Sequence, residues 1–269
     1  MDINSTVNLH SGNKMPIMGL GTWQLANDTA GTIADALTLG YRMIDTSGDY
    51  GTQPGIGEGI KSSGIKRDLI YLVTKVEETD DAYEATRKNL GELKLDYANL
   101  VLIHRPPVAG PGQELWEGLI KAKKEGLAKD IGVSNYPIDF IQELMNSTGE
   151  VPAVNQIEWS PFGYSEEMLR FCRDKQIIIQ AYSPLTRIKL LNDSTLSDVA
   201  SHYKKTPAQI LIRWNLQMGT VPLPKANQPK HLEENINVFD FEINQVDMTT
   251  LNGLNEHFSS IGSLPYVEY

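Results

Sequence analysis

Four ionisable side chains, Asp45, Tyr50, Lys75 and His104, suit proton chemistry beside a carbonyl group. A lysine ammonium next to a phenol favours the phenolate and draws the tyrosine pKa down from about 10. Held between Asp45 and Tyr50, Lys75 would make Tyr50 a general acid for a carbonyl oxygen. Asp45 would keep that ammonium charged and turned inward, and His104 would orient the oxygen as a neutral imidazole. Ser134, Asn135 and Gln156 add groups that bind an amide, and Tyr182 adds a flat aromatic face. Together they suit a planar nicotinamide carboxamide, and therefore hydride transfer.

These residues are far apart in sequence, so the fold must gather them. Each follows a short apolar run: GLGTW (19–23), YRMIDTS (41–47), LIYLVTKV (69–76), NLVLIHR (99–105), AKDIGVSN (128–135), AVNQIEWS (153–160), IIIQAYSP (177–184) and TVPLPKA (220–226). Amphipathic stretches separate the runs, and their spacing predicts helices at 29–39, 56–61, 82–93, 112–125, 138–145, 165–174, 207–217 and 229–235. Thr206 before Pro207, and Ser165 before Glu166 and Glu167, mark two helix starts. Eight such units without a linker or composition shift predict a single (β/α)8 TIM barrel over 1–269. VNLH-SGN-KMPIM ahead of them predicts a β-hairpin closing the barrel bottom. GLGTW lacks the third glycine of a dinucleotide-binding turn and leads to no immediate helix, which argues against an open doubly wound sheet. In a barrel the chemistry sits at the C-terminal ends of the strands, where these polar residues fall.

The composition limits the partners. Twenty-four Lys plus Arg against thirty-four Asp plus Glu leave a formal charge of −10, which repels nucleic acid and anionic membranes at long range. A phosphate-bearing ligand must then meet a local basic patch. Cys172 is the only cysteine, which excludes an intramolecular disulfide and fits a reducing compartment. No apolar core of signal-peptide length opens the chain and no run of about 18 apolar residues interrupts it, so a cytoplasmic location is expected. The five histidines show no H-x-H or H-E-x-x-H spacing, so no metal is expected.

The ordered set GLGTW, MIDTSGDYG, VTK, LVLIH, IGVSN, VNQIEWSP, AYSPL, TPAQILIRW and PLPKANQPKHLEEN resembles the aldo-keto reductase superfamily over nearly the whole chain. It is similar to short prokaryotic-type members such as the 2,5-diketogluconate reductases. The resemblance implies an NADPH-dependent oxidoreductase, with NADH as the other nicotinamide donor, reducing a small aldehyde or ketone that is sugar-derived or a keto acid. It implies a catalytic tetrad of Asp45, Tyr50, Lys75 and His104, with Tyr50 as proton donor. Nicotinamide contacts would come from Ser134, Asn135, Gln156 and Tyr182, pyrophosphate contacts from Ser183 and Leu185, and adenosine contacts from Lys225, His231, Glu234 and Asn235. Trp23, Trp159 and Arg105 would line the substrate pocket of a monomer.

The chain departs from the family pattern at Gln53 and Pro54, at Ala226 and His231 where serine and arginine are common, and at Arg105 where tryptophan is common. Thr186 and Arg187 replace a small-residue loop. Arg105, if it reaches the mouth, favours substrates with a carboxylate. Two other function classes compete. One is a nicotinamide-binding regulatory subunit with little turnover. The other is a Schiff-base lyase using Lys75 as the amine, which borohydride trapping would reveal.

Overall fold

The computed structural model describes residues 1–25, 28–264 and 266. A hairpin of β1 (Thr6–Asn8) and β2 (Lys14–Pro16) precedes eight parallel strands: β3 (Leu20–Gly21), β4 (Met43–Asp45), β5 (Tyr71–Val76), β6 (Ala98–Ile103), β7 (Ala128–Ser134), β8 (Val154–Glu158), β9 (Ile178–Tyr182) and β10 (Val221–Leu223). These eight form one sheet in sequence order, β3 to β10. The Gly19 N–H donates to the Pro222 carbonyl and the Gly21 N–H to the Pro224 carbonyl, both at 3.1 Å, which closes the sheet on itself. A Cβ on Gly21 would stand 2.9 Å from the Leu223 carbonyl oxygen, so the seam needs glycine there.

Alternation along the strands decides what faces the axis. Met43, Tyr71, Val73, Leu100, Leu102, Val154, Val221 and Leu223 pack together inside the barrel with Met15 of the hairpin. Counting on in steps of two from those inward positions reaches Asp45, Lys75, His104, Gln156 and Lys225. These polar residues are therefore the next layer above an apolar plug. The hairpin closes the other end, as its sequence predicts: Met15 is fully buried and the Asn13 amide donates to Asp130 at 2.9 Å.

The intervening residues, such as Ile44, Leu72, Val101 and Ile131, face outward and form a second core with the helices. These are α1 (Thr29–Leu39), α2 (Gln53–Ser62), α3 (Ala82–Leu93), α4 (Gln113–Lys124), α5 (Ile138–Thr148), α6 (Glu166–Asp174), α7 (Ser194–Tyr203), α8 (Pro207–Met218), α9 (Pro229–Ile236) and α10 (Gln245–Asn252). Thr206 and Gln209 form a reciprocal capping box at α8, and Ser165 caps α6.

Three expectations need correction. α7 and α10 lie outside the predicted helices: each buries only a narrow stripe, Leu196, Val199 and Ala200 in one, Met248 and Leu251 in the other, within a polar text. Their link is tertiary, since the Tyr203 hydroxyl donates to Asp247 at 2.6 Å. α2 starts earlier than 56, because Gln53 and Pro54 are its first turn rather than a loop. Gln53 is fully buried, donating to Glu92 at 2.8 Å and accepting from the Thr74 hydroxyl at 2.8 Å, which anchors the segment that carries Tyr50.

Gly57 on α2 faces the end of α3 so closely that a Cβ would lie 2.1 Å from the Leu93 carbonyl oxygen. Gly57→Ala is expected to destabilise the chain by about 1–3 kcal/mol through overpacking. In urea unfolding the midpoint should fall with an unchanged slope; an unchanged midpoint would show that α2 shifts freely.

Candidate active site

Lys75 is the centre of the site. Its side chain is fully buried, and its ammonium donates to both Asp45 oxygens at 2.9 Å and to the Thr46 carbonyl at 2.8 Å. Those acceptors match its three protons. Nζ also lies 5.1 Å from the centre of the Tyr50 ring. Burial pulls the Lys75 ammonium down, but Asp45 and Tyr50 together leave it above the ordinary lysine value. The balance at Tyr50 differs from the sequence expectation: burial pushes the phenol above its ordinary value, and the Lys75 charge only partly opposes this. Tyr50 therefore stays protonated at neutral pH, the form a proton donor needs.

His104 follows the end of β6, and its ring meets the Tyr50 ring edge-on, with centroids 5.8 Å apart. Its Nδ1 lies 2.8 and 3.0 Å from the two Glu77 oxygens and 3.7 Å from Asp49. Glu77 and Asp49 are site groups that the sequence reading missed. The available signals were the acidic text EETDD beginning two residues after Lys75, for Glu77, and the residue directly before Tyr50, for Asp49.

Next to this cluster Ser134, Asn135, Gln156 and Tyr182, expected to hold an amide, form a connected wall. The Gln156 amide donates to Asp45 at 2.7 Å and to Gln180 at 2.9 Å. The Ser134 hydroxyl donates to the Gln156 carbonyl at 2.7 Å, and the Asn135 amide donates to the His104 carbonyl at 3.1 Å. The Tyr182 hydroxyl donates to the Asn135 side-chain oxygen at 2.8 Å. Asn135 holds this place with a left-handed backbone, φ 61°, which asparagine tolerates better than most residues.

A second charged patch lies beyond Tyr182. Ser183, Thr186, Arg187 and Ile188 all have positive φ, between 47° and 64°, a strained turn of the kind found where loops close over ligands. The Arg187 guanidinium stacks 4.1 Å above the Trp23 ring, linking the loops after β9 and β3. Burial and the nearby Arg187 charge hold the Lys225 ammonium below its ordinary value. Among the described residues neither cation has a carboxylate in ion-pair range. Two mutually repelling cations beside a strained turn fit an anion such as a dinucleotide phosphate. Farther along, His231 is exposed and 3.4 Å from Glu234, Glu234 accepts from the Thr206 hydroxyl at 2.6 Å, and Asn235 is buried.

The three residues expected to line a substrate pocket separate. Trp23 is 38% exposed at the mouth, beside Arg187. Trp159 is fully buried, packed against Tyr164 and Tyr266 at 5.8 and 6.2 Å. The segment over it is anchored on buried Glu158, which accepts from Ser259, from the Ser260 N–H and hydroxyl, and through its carbonyl from Tyr266. Arg105 reaches the rim, but its guanidinium lies 3.1 Å from Glu78, 3.4 Å from Glu77 and 4.0 Å from Asp49. Three carboxylates already compensate its charge, which weakens the case for a carboxylate-binding role.

The family model for the aldo/keto reductase family matches residues 17–256. The Bacillus subtilis oxidoreductase YtbE is 38% identical over 265 residues, spanning 95% of this chain and 94% of its own length. A glyoxal reductase of the same organism is 37% identical over 260 residues, spanning 94% of each chain. Among solved structures, an aldo/keto reductase from Brucella melitensis superposes with a TM-score of 0.88 at 39% identity, covering 93% of this chain and 99% of that one. A Bombyx mori aldo-keto reductase in complex with NADP gives 0.90 at 29% identity, covering 95% and 94%. The chain belongs to the aldo/keto reductase family, and is an NAD(P)H-dependent oxidoreductase acting on carbonyl groups. Among the described residues no helix is long and apolar enough to cross a membrane.

Lys75→Met would leave the Asp45 carboxylate buried with its main cation gone. The expected loss is about 3–5 kcal/mol of stability, the usual effect of breaking a buried pair. Asp45→Leu combined with Lys75→Met should recover most of this loss in urea unfolding. A double variant no more stable than Lys75→Met alone would show that the pair is not the dominant interaction there.

Proposed function

We propose that the chain reduces an aldehyde or ketone to the alcohol with NADPH, and that Tyr50 is the general acid. The observation that carries this is the buried Lys75 ammonium, bonded to Asp45 and facing the Tyr50 ring at 5.1 Å. A reduced nicotinamide bound against Tyr182 would supply hydride to the carbonyl carbon. The residues of the chain do the rest. Ser134 and Gln156 bind the carboxamide, Asn135 holds Tyr182 in place, and Tyr50 gives its hydroxyl proton to the carbonyl oxygen. The Lys75 charge favours the phenolate left behind. Ser183, Leu185 and Arg187 hold the pyrophosphate.

Lys225, with Lys230 and His231 on α9, supports NADPH over NADH, although His231 is turned toward Glu234. Trp23, Val108 and Ile188 are exposed apolar side chains on loops after barrel strands, at the same end as the site. They support a substrate with an uncharged body, and we assign Arg105 to the rim.

Tyr50→Phe is expected to lower turnover of 4-nitrobenzaldehyde by about 10²–10⁴-fold, the usual worth of general acid catalysis. Fluorescence titration should show NADPH binding unchanged and NADH weaker by about tenfold or more. Retention of more than about a tenth of the turnover would exclude Tyr50 as the principal donor, and equal dissociation constants would exclude NADPH selectivity.

A further inference from the structure

The carboxylate of Glu77 has no part in the scheme above, yet it is held in place from several sides at the mouth. Its backbone N–H donates to Asp80 at 2.8 Å, the Ser47 hydroxyl donates to Oε1 at 3.0 Å, and Arg105 donates to Oε2 at 3.4 Å. With both oxygens thus supported, it presents them to a single nitrogen, Nδ1 of His104. Burial raises the Glu77 pKa, but His104, Ser47 and Arg105 together bring it below the ordinary glutamate value, so it is a carboxylate at neutral pH. A carboxylate only accepts hydrogen bonds, so Nδ1 must be the donor and carry a proton. Among the described residues the ring makes no hydrogen bond at Nε2.

We propose that Glu77 is a positioning residue for carbonyl reduction: it pins one ring proton of His104 on Nδ1, so that Nε2 is the nitrogen turned to the carbonyl oxygen. A singly protonated ring fixed in this way has a lone pair at Nε2 and cannot donate from it. The ring donates to the carbonyl oxygen only when it carries a second proton, and the Glu77 carboxylate balances that charge. This replaces the simpler expectation of a neutral His104 acting as donor. The logic is that of a buried carboxylate fixing the tautomer of a catalytic histidine. Four groups face the ring: Glu77 from the segment after β5, Asp49 and Tyr50 from the turn before α2, and, through Glu77, Arg105 from the end of β6. Of these only Glu77 is within hydrogen-bond distance of a ring nitrogen.

The inference rests on the reductase reading, and the experiment separates the two. With NADPH and 4-nitrobenzaldehyde, wild-type turnover tests the reading itself. Glu77→Gln keeps an acceptor oxygen and removes the charge, whereas Glu77→Leu removes both. Both variants are expected to lose about tenfold or more in kcat, with aldehyde KM and NADPH Kd within about twofold of wild type. Nitrogen-15 NMR of ring-labelled histidine at about pH 9, where imidazoles are neutral, reads the tautomer directly, with His104 assigned by its loss in His104→Gln. Wild type and Glu77→Gln should show the Nδ1–H form and Glu77→Leu the Nε2–H form. Either of two results overturns the proposal: kcat within twofold of wild type in both variants, or an Nε2–H ring in the wild type. The NMR result stands even if Glu77→Leu is too unstable to assay. An active wild type whose variants keep full kcat would refute the inference and leave the reductase reading intact.

Discussion

A lysine with no solvent exposure in the middle of a barrel constrains everything around it. Its charge cannot be left alone in so dry a place, so Asp45 must stand on the adjacent strand and the Thr46 carbonyl must turn inward. Such a pair is weak evidence for stability, since apolar residues of similar volume often do as well. What it provides here is a fixed positive charge beside Tyr50. The constraint extends downward as well. Gln156 joins Asp45 to Gln180, whose amide lies 3.2 Å from the Met15 sulfur and 3.5 Å from that of Met43. A polar column thus connects the mouth to the hairpin plug through soft sulfur contacts.

Around that column the mouth is divided by charge. Arg187 and Lys225 stand on the side of the strained turn after β9, and Asp49, Glu77 and Glu78 gather around His104 and Arg105. On a chain of net charge −10, the first patch is a local positive field of the kind an anionic ligand requires. The Arg187–Trp23 stack draws the loops on the two sides of the β3–β10 seam together. It also uses a substitution that distinguishes this chain from its family's common pattern.

The residue types at the strand ends were legible because strand alternation is strict. Once Met43, Val73, Leu102, Val154 and Leu223 are inward, Asp45, Lys75, His104, Gln156 and Lys225 must follow, and the apolar runs announce the inward set. The hairpin was legible from its turn residues and the caps of α6 and α8 from Ser165 and Thr206, because these signals are local. Departures from the family's common residues were visible too, but their consequences were not. Gln53 reads as a loop residue, and it starts a helix because Thr74 and Glu92, distant in sequence, satisfy its amide.

By itself, then, the sequence determined the barrel, the order of its strands and which polar residues end them, all of which follow from short-range periodicity. Tertiary structure decided which further charges meet around the Asp45–Lys75 pair. It turned Glu77 onto His104, surrounded Arg105 with acids, buried Trp159 against Tyr164 and Tyr266, and let burial outweigh Lys75 at the Tyr50 phenol. Each of these depends on distances between loops on different strands and on how much water the packed chain excludes. Neither quantity is carried by the spacing of residues along a chain.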